Sequence, residues 1–252
     1  MRITNRGAEV RNEFSVQSAV LCLCVVELVV DRAASAVLAL ATGSQDGIVR
    51  IWRHTNGSLL MSLNSLQDRP VSLLLFAVSN PVRPVACIIA GSSSGDLCSW
   101  SVTGILTAPV VTLPTPIVDM HTSLLSEKLV VFGSDRTVRS FRTRDLILMS
   151  TITLSNVGVS RALASELPGD SKSRDLVIAG TVDGMICVHA QLNLLIAWQA
   201  HKGAIACMCA TQWSSDSSAF SRRCYIVSAG GALIVRCSST LLPFFLISYS
   251  GR

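Results

Sequence analysis

The chain has 252 residues, of which 50% are hydrophobic and only 15% charged, and its formal net charge is +5. That length is enough for a substantial core, and that composition excludes a disordered tail. The longest apolar run, residues 19–30, is interrupted by Glu27, and a helix needs about 20 apolar residues to cross a bilayer, so no membrane insertion is expected. The apolar runs are short and rich in Val, Ile and Leu, as in buried strands. The first 13 residues carry Arg2, Arg6, Glu9, Arg11 and Glu13 and no apolar leader. The nine cysteines are odd in number. Cys22, Cys24, Cys87, Cys187, Cys207 and Cys209 fall inside predicted strands, as small hydrophobes do in a reducing compartment. An intracellular protein, cytoplasmic or nuclear, is expected.

In chain order, short strands come in groups of four. The first group is Val20–Val26, Val37–Thr42, Gly47–Arg53 and Ser58–Leu63. The second is Val71–Val78, Val85–Ala90, Asp96–Ser101 and Pro109–Leu113. The third is Ile117–His121, Leu129–Gly133, Thr137–Arg142 and Leu146–Thr153. The fourth is Val159–Ala164, Leu176–Gly180, Met185–His189 and Leu194–Trp198. The fifth is Ile205–Ala210, Tyr225–Ala229, Leu233–Cys237 and Pro243–Ser248. Turn residues separate them, among them Asn56-Gly57, Asp135-Arg136, Asp183-Gly184 and Gly230-Gly231. No segment has a convincing helical period.

One hairpin recurs through these groups. "ATGSQDGIVRIW" at 41–52 returns as "AGSSSGDLCSW" at 90–100, "FGSDRTVRSF" at 132–141, "AGTVDGMICVH" at 179–189 and "AGGALIVRC" at 229–237. Each begins at a glycine (Gly43, Gly91, Gly133, Gly180, Gly230). Each ends at Trp52, Trp100, Phe141, His189 or Cys237, spaced 48, 41, 48 and 48 residues apart. A period of about 40 to 50 residues marks a propeller or similar array. A lone four-stranded sheet cannot bury both faces, and radial stacking of such sheets does.

These units resemble the WD-repeat β-propeller family. Thr42-Gly43-Ser44, Asp46-Gly47 and Val49-Arg50-Ile51-Trp52 are nearly the family's b–c hairpin. Ala200-His201-Lys202-Gly203, followed by Ile205 and Met208, is similar to its glycine-histidine loop. The resemblance implies a hydrogen-bonded tetrad of His, Ser/Thr, Asp and Trp in each blade, and no unit has all four. The first has Thr42, Asp46 and Trp52 without His. The second has Trp100 with Ser94 at the Asp place. The third has Asp135 in its turn and ends at Phe141. The fourth has Asp183, with His189 at the Trp place. The fifth has His201 and Ser228, with Gly231 and Cys237 at the Asp and Trp places. The Asp of the Trp-Asp pair is replaced by Arg53, Ser101, Arg142 and Ala190.

The expected fold is therefore all-β: a β-propeller of four-stranded antiparallel blades at about 18–64, 65–113, 114–154, 155–199 and 200–249. Residues 1–17 form an N-terminal extension or, through "NEFSVQ" at 12–17, a closing strand. The family usually closes with seven blades and five are visible here. The alternatives are a fragment or shortened product, a partner that supplies the missing blades, or a ring of five; an incomplete ring is the preferred reading.

Chemistry is sparse. Cys22/Cys24 and Cys207/Cys209 would offer four thiolates to zinc if their strands met. The preferred reading is a small apolar residue at one blade position, since structural zinc sites favour C-x₂-C turns. No cofactor is expected. His54, His121, His189 and His201 do not join a nucleophile and a carboxylate, and there is no nucleophile elbow or phosphate loop. Gly91-Ser92-Ser93-Ser94-Gly95 lies at a hairpin with no helix after it to hold a phosphate. Asn56-Gly57-Ser58 matches a glycosylation acceptor and reads better as a turn. Arg136, Arg139, Arg142 and Arg144 form the one dense basic group, read as the solvated face of an outer hairpin. The expected function is a non-enzymatic scaffold for other proteins, binding through the loops that enter the innermost strands, with Arg69, Asn156 and Lys202 as candidate contacts. Trp213, beside a Ser-rich loop, is a further exposed anchor candidate. The alternative, suggested by the net positive charge, is a propeller subunit of an RNA-processing or ribosome-assembly complex that contacts RNA through basic loops.

Overall fold

The computed structural model describes residues 17–29, 36–64, 66, 68–79, 85–123, 127–154, 158–167, 174–190, 193–213, 223–230 and 235–240. The first sheet is antiparallel, with β1 (Val20–Val29), β2 (Ala36–Ser44), β3 (Ile48–Arg53) and β4 (Leu59–Asn64) in sequential order. The second holds β5 (Val71–Ser79), β6 (Val85–Ser92), β7 (Asp96–Ser101) and β8 (Val111–Thr112). The third holds β9 (Ile117–Ser123), β10 (Lys128–Gly133), β11 (Thr137–Arg142) and β12 (Leu148–Thr153). The fourth holds β13 (Val159–Leu167), β14 (Arg174–Thr181), β15 (Met185–Ala190) and β16 (Asn193–Gln199). The fifth shows three strands, β17 (Ile205–Trp213), β18 (Arg223–Gly230) and β19 (Val235–Thr240). The expected strand Pro243–Ser248 lies outside the described residues.

The repeat is sharper in the backbone than in the sequence. In every sheet the first strand carries a one-residue bulge against the second, skipping Leu21, Ser72, Val118, Ser160 and Ala206. A bulge adds twist and fixes register. It also sets the phase of each unit. Ser44, Ser92, Gly133, Thr181 and Gly230 are equivalent, because they pair with Val20, Val71, Ile117, Val159 and Ile205. Gly133 and Gly230 therefore do not share the place of Gly43. In the fifth sheet Ser238, rather than Cys237, pairs with Ile226 as Trp52 pairs with Leu40. The glycine that anchors the sequence match had moved by one position in two of the five hairpins.

Three strands depart from expectation, one of them Leu233–Cys237, which is observed as Val235–Thr240. Pro109–Leu113 shrinks to Val111–Thr112, with an isolated bridge between Trp100 and Leu106. Pro109 has no amide to donate, and Gly104 turns the chain at φ +83°. Leu146 has φ 53°, so the strand that follows begins at Leu148.

The core lies between successive sheets. Val26, Ala39, Ala41, Val49 and Ile51 of the first sheet pack on Leu74, Ile88, Cys98 and Trp100 of the second. Ala77, Cys87, Ile89 and Leu97 meet Met120, Leu129, Val131 and Phe141 of the third. Phe132 and Val138 meet Ala162, Val177 and Ala179 of the fourth. Ile178, Ile186 and Val188 meet Ile205 and Met208 of the fifth. Innermost strands follow one another as β1, β5, β9, β13 and β17, and among the described residues no such packing joins the fifth sheet to the first. Among the described residues the sheets form an open arc.

The tetrad survives in halves. In the first sheet Trp52 Nε1 donates to Thr42 Oγ1 at 2.9 Å. In the fifth, His201 Nε2 lies 2.9 Å from Ser228 Oγ, both buried. Ala90 and Ala179 stand at the Thr42 place in the second and fourth sheets, so neither offers a hydroxyl. His189, buried at the Trp place, has no hydrogen-bond partner for either ring nitrogen. Burial pushes its pKa below the ordinary value.

Replacing Thr42 with Val removes the acceptor and is expected to cost about 1 kcal/mol, read as a lowered melting temperature by circular dichroism. His189→Phe, which copies the residue at Phe141, is expected to stabilise by about 1 kcal/mol by removing an unsatisfied buried group. The depressed His189 pKa means that stability is present above about pH 6.5, the unfolded value, and is lost as pH falls through the folded pKa. The Phe variant should flatten that part of a melting-temperature profile between pH 5 and 7.

Candidate interaction surface

One end of the arc carries the hairpin turns between second and third strands together with the loops that enter the first strands. Backbone bonds fuse the two sets. Gln45, Ser134 and Val182 donate to the carbonyls of Ala19, Pro116 and Gly158, which precede β1, β9 and β13. Leu113, Leu154 and Ala200 donate to Gly95, Arg136 and Gly184 in the turns. Each of the four described turns ends in a left-handed residue: Gly47, Gly95, Arg136 and Gly184. At Gly184 (φ +84°) a side chain would collide with the His201 carbonyl. Arg136 takes the same conformation with a side chain, at a cost of roughly 1 kcal/mol.

Ion pairs sit on this frame. Arg50 Nη2 donates to Asp46 Oδ2 at 2.7 Å, and Arg139 Nη2 to Asp135 Oδ2 at 2.9 Å. These are equivalent positions of two hairpins. Both Asp also cap their own turns, accepting from the amides of Ile48 and Thr137. Burial works against the Asp135 charge, but Arg139 and Thr137 outweigh it and hold the carboxyl at about 2. The Arg50 guanidinium holds Asp46 below its ordinary range. In the second sheet the turn has Ser94, and Asp96 takes over two residues on. Asp96 accepts from Arg69 Nη1 at 2.5 Å, Thr112 Oγ1 at 2.8 Å and Ser92 Oγ at 3.2 Å. Its burial favours the neutral acid, and these donors still pull the pKa down.

The expected contact residues are placed as follows. Arg69, on the loop into β5, is half-exposed and tied to buried Asp96. Lys202, on the loop into β17, is exposed. Asn156 lies outside the described residues, and Trp213 ends β17. Of the repeat positions, Asp183 is exposed in its turn, while Trp100 and Phe141 are buried between sheets. Asp96, Arg50 and Arg139 were not singled out as site residues. Their signal was the Asp-to-Arg spacing of four in "DGIVR" and "DRTVR", and an Asp directly after a turn glycine.

The basic group is not a bare cationic face. Arg139 is buried against Asp135. Arg142 Nη2 pairs with Asp145 Oδ2 at 2.6 Å, and Arg144 Nε lies 3.7 Å from the same atom. The two Cys-x-Cys pairs lie on strands that are not packed together among the described residues. Burial raises the Cys22 thiol to about 12 and the Cys24 thiol to about 11, so both stay protonated. Among the described residues no His, Cys, Asp and Glu group is arranged for a metal, and no helix is long and apolar enough to cross a membrane.

Because Asp135 is held down, its contribution to stability is present above the unfolded pKa near 4 and lost as pH falls through about 2. Asp135→Asn is expected to lower the melting temperature at pH 7 and to narrow its gap from the parent below pH 3, measured by scanning calorimetry.

No family model matches the chain, and no curated protein matches it. Solved structures do. BBS1N, crystallised in complex with ARL6DN, superposes with a TM-score of 0.64 at 12% identity over 97% of this chain and 69% of that one. Saccharomyces cerevisiae Sqt1 gives 0.62 at 12% identity over 84% of this chain and 56% of that one. The WD40 β-propeller domain of Doa1 gives 0.57 at 18% identity over 83% and 64%. The chain spans 56% of Sqt1 and 64% of the Doa1 domain. At these identities the likeness carries the fold, which is a WD40-like β-propeller.

Proposed function

We propose that the chain is a non-catalytic scaffold that binds other proteins, and that it is a divergent relative of the WD-repeat family. The observation that carries this is the fused end of the arc. Its turns and entering loops are locked to each other by backbone bonds, so side chains such as Arg69 and Lys202 stand on a rigid platform. Among the described residues three carboxylates there are engaged in pairs: Asp46 with Arg50, Asp96 with Arg69, Asp135 with Arg139. Paired groups suit recognition of a protein surface better than acid–base chemistry, which needs titratable groups held near their working pH. The similar propeller BBS1N was crystallised with another protein, ARL6DN, in keeping with this use of the fold. Contact with RNA, which the net positive charge suggested, gains no support, since Arg139 and Arg142 of the one dense basic group are paired with Asp135 and Asp145.

The test is co-purification of the tagged chain with cross-linking mass spectrometry. Lys202→Glu, which alters an exposed side chain, and Arg69→Ala, checked for an unchanged β-rich spectrum, are expected to lower partner recovery by tenfold or more. Full recovery with both variants would remove these loops from the binding surface.

A further inference from the structure

The turn between β3 and β4 lies at the end of the first sheet opposite the fused loops. It reads His54-Thr55-Asn56-Gly57-Ser58, and Asn56 and Ser58 are both exposed. Of the seven asparagines in the chain, Asn56 is the one followed by glycine. The fold calls for glycine there, because φ at Gly57 is +70°, in the left-handed region that a side chain resists. The hairpin thus sets beside Asn56 a backbone amide that no side chain shields.

The Asn56 carboxamide is held as an electrophile. Its Oδ1 accepts two hydrogen bonds, from the Ser58 amide at 3.1 Å and from Ser58 Oγ at 2.9 Å. Both donors face the atom on which negative charge develops when a nucleophile adds to Cγ, which is how an oxyanion is stabilised. They come from a residue two places along the chain, so the arrangement is local to the turn. The nucleophile within reach is the Gly57 nitrogen, which closes a five-membered ring on Cγ. It donates to the Arg53 carbonyl at 2.9 Å, so one backbone bond in an exposed turn opens before it reacts.

We propose that Asn56 is a site of self-catalysed deamidation, with Ser58 supplying the oxyanion donors. The Gly57 amide gives its proton to water or hydroxide, its nitrogen adds to Asn56 Cγ, and the π electron pair of that carbonyl moves onto Oδ1. The pair returns as the Cγ–Nδ2 bond breaks, and Nδ2 leaves as ammonia with a proton taken from water. One water molecule then opens the succinimide at either carbonyl, giving an aspartate or an isoaspartate at position 56. Nothing is oxidised or reduced, and water is the only reactant consumed. Either product puts a carboxylate in the same turn as Arg53 and His54. The isoaspartate also adds a methylene to the main chain between Arg53 and Ser58, whose backbone bond at 2.9 Å closes the turn. β4 is the outermost strand of its sheet, so the modification loosens and charges the rim without entering the core.

This inference is independent of the scaffold reading, which concerns the other end of the sheets. It is tested on the full chain, incubated at neutral and at mildly alkaline pH, by peptide mapping with mass spectrometry and an isoaspartate-specific methylation assay. Circular dichroism is the fold control. The expected result is loss of the amide at Asn56 before Asn64 or Asn193, and faster at the higher pH. Ser58→Ala should slow it about two- to tenfold, the worth of one net hydrogen bond. Ser58→Thr, which keeps the hydroxyl, should restore the parent rate. In urea, where the turn is unfolded, parent and Ser58→Ala should react alike. An Asn56 that keeps its amide, or that reacts no faster than Asn64, overturns the proposal. So does a Ser58→Ala chain that reacts at the parent rate or faster, or one whose slowing persists unchanged in urea. None of these outcomes bears on recovery of partners by the Lys202 loop.

Discussion

The packing of one apolar sheet face on the next is the interaction on which everything else in this protein depends. A single sheet is too thin to exclude water, and the second, third and fourth carry apolar side chains on both sides, so each is folded only in so far as it has neighbours. Ala39, Ala41 and Ala90 keep the sheets close, and Ile51, Ile88 and Trp100 fill the space between them. The bulge at the start of each first strand makes this repeatable, because it gives every sheet the same register and twist. Polar stitching from Cys22, Asp119 and Arg161 then follows the same sheet-to-sheet path.

The loop end inherits its order from that stack. A turn that donates to the loop before its sheet and accepts from the loop after it has little freedom left. The Asp–Arg pairs of the first and third hairpins bridge turn to strand on top of this frame. In the second sheet the carboxylate is displaced to Asp96, and the cation arrives from a different element, Arg69. The same electrostatic arrangement is thus reached by two routes, and this is why the motif is hard to recognise as a repeat.

Most of the strand pattern was legible in the sequence, since apolar alternation and turn glycines report local geometry directly. Asp96–Ser101 and Thr137–Arg142 agree to the residue. What misled was the use of glycine as the ruler. Gly230 sits one place later than Gly43 because a side chain there would strike the His201 ring, so packing rather than the turn set its position. The site was less legible. Arg139 reads as one of four surface arginines, and its burial against Asp135 depends on the fold. His201 and Ser228 were readable as the remnant of a tetrad, and they do meet. His189 was readable as a core residue, whereas its lack of a partner followed only from Ala179 standing at the place of Thr42.

The open arc has a consequence for how the sheets communicate. In a closed ring any two sheets are joined by two routes, one in each direction, so a single weakened interface leaves them connected. Among the described residues of this arc there is one route. A disturbance between the second and third sheets, at Met120 or Phe141, divides the molecule into two parts that no longer support each other. The least stable of the four junctions therefore governs the persistence of the whole, and a contact that bridges the ends would restore the missing second path.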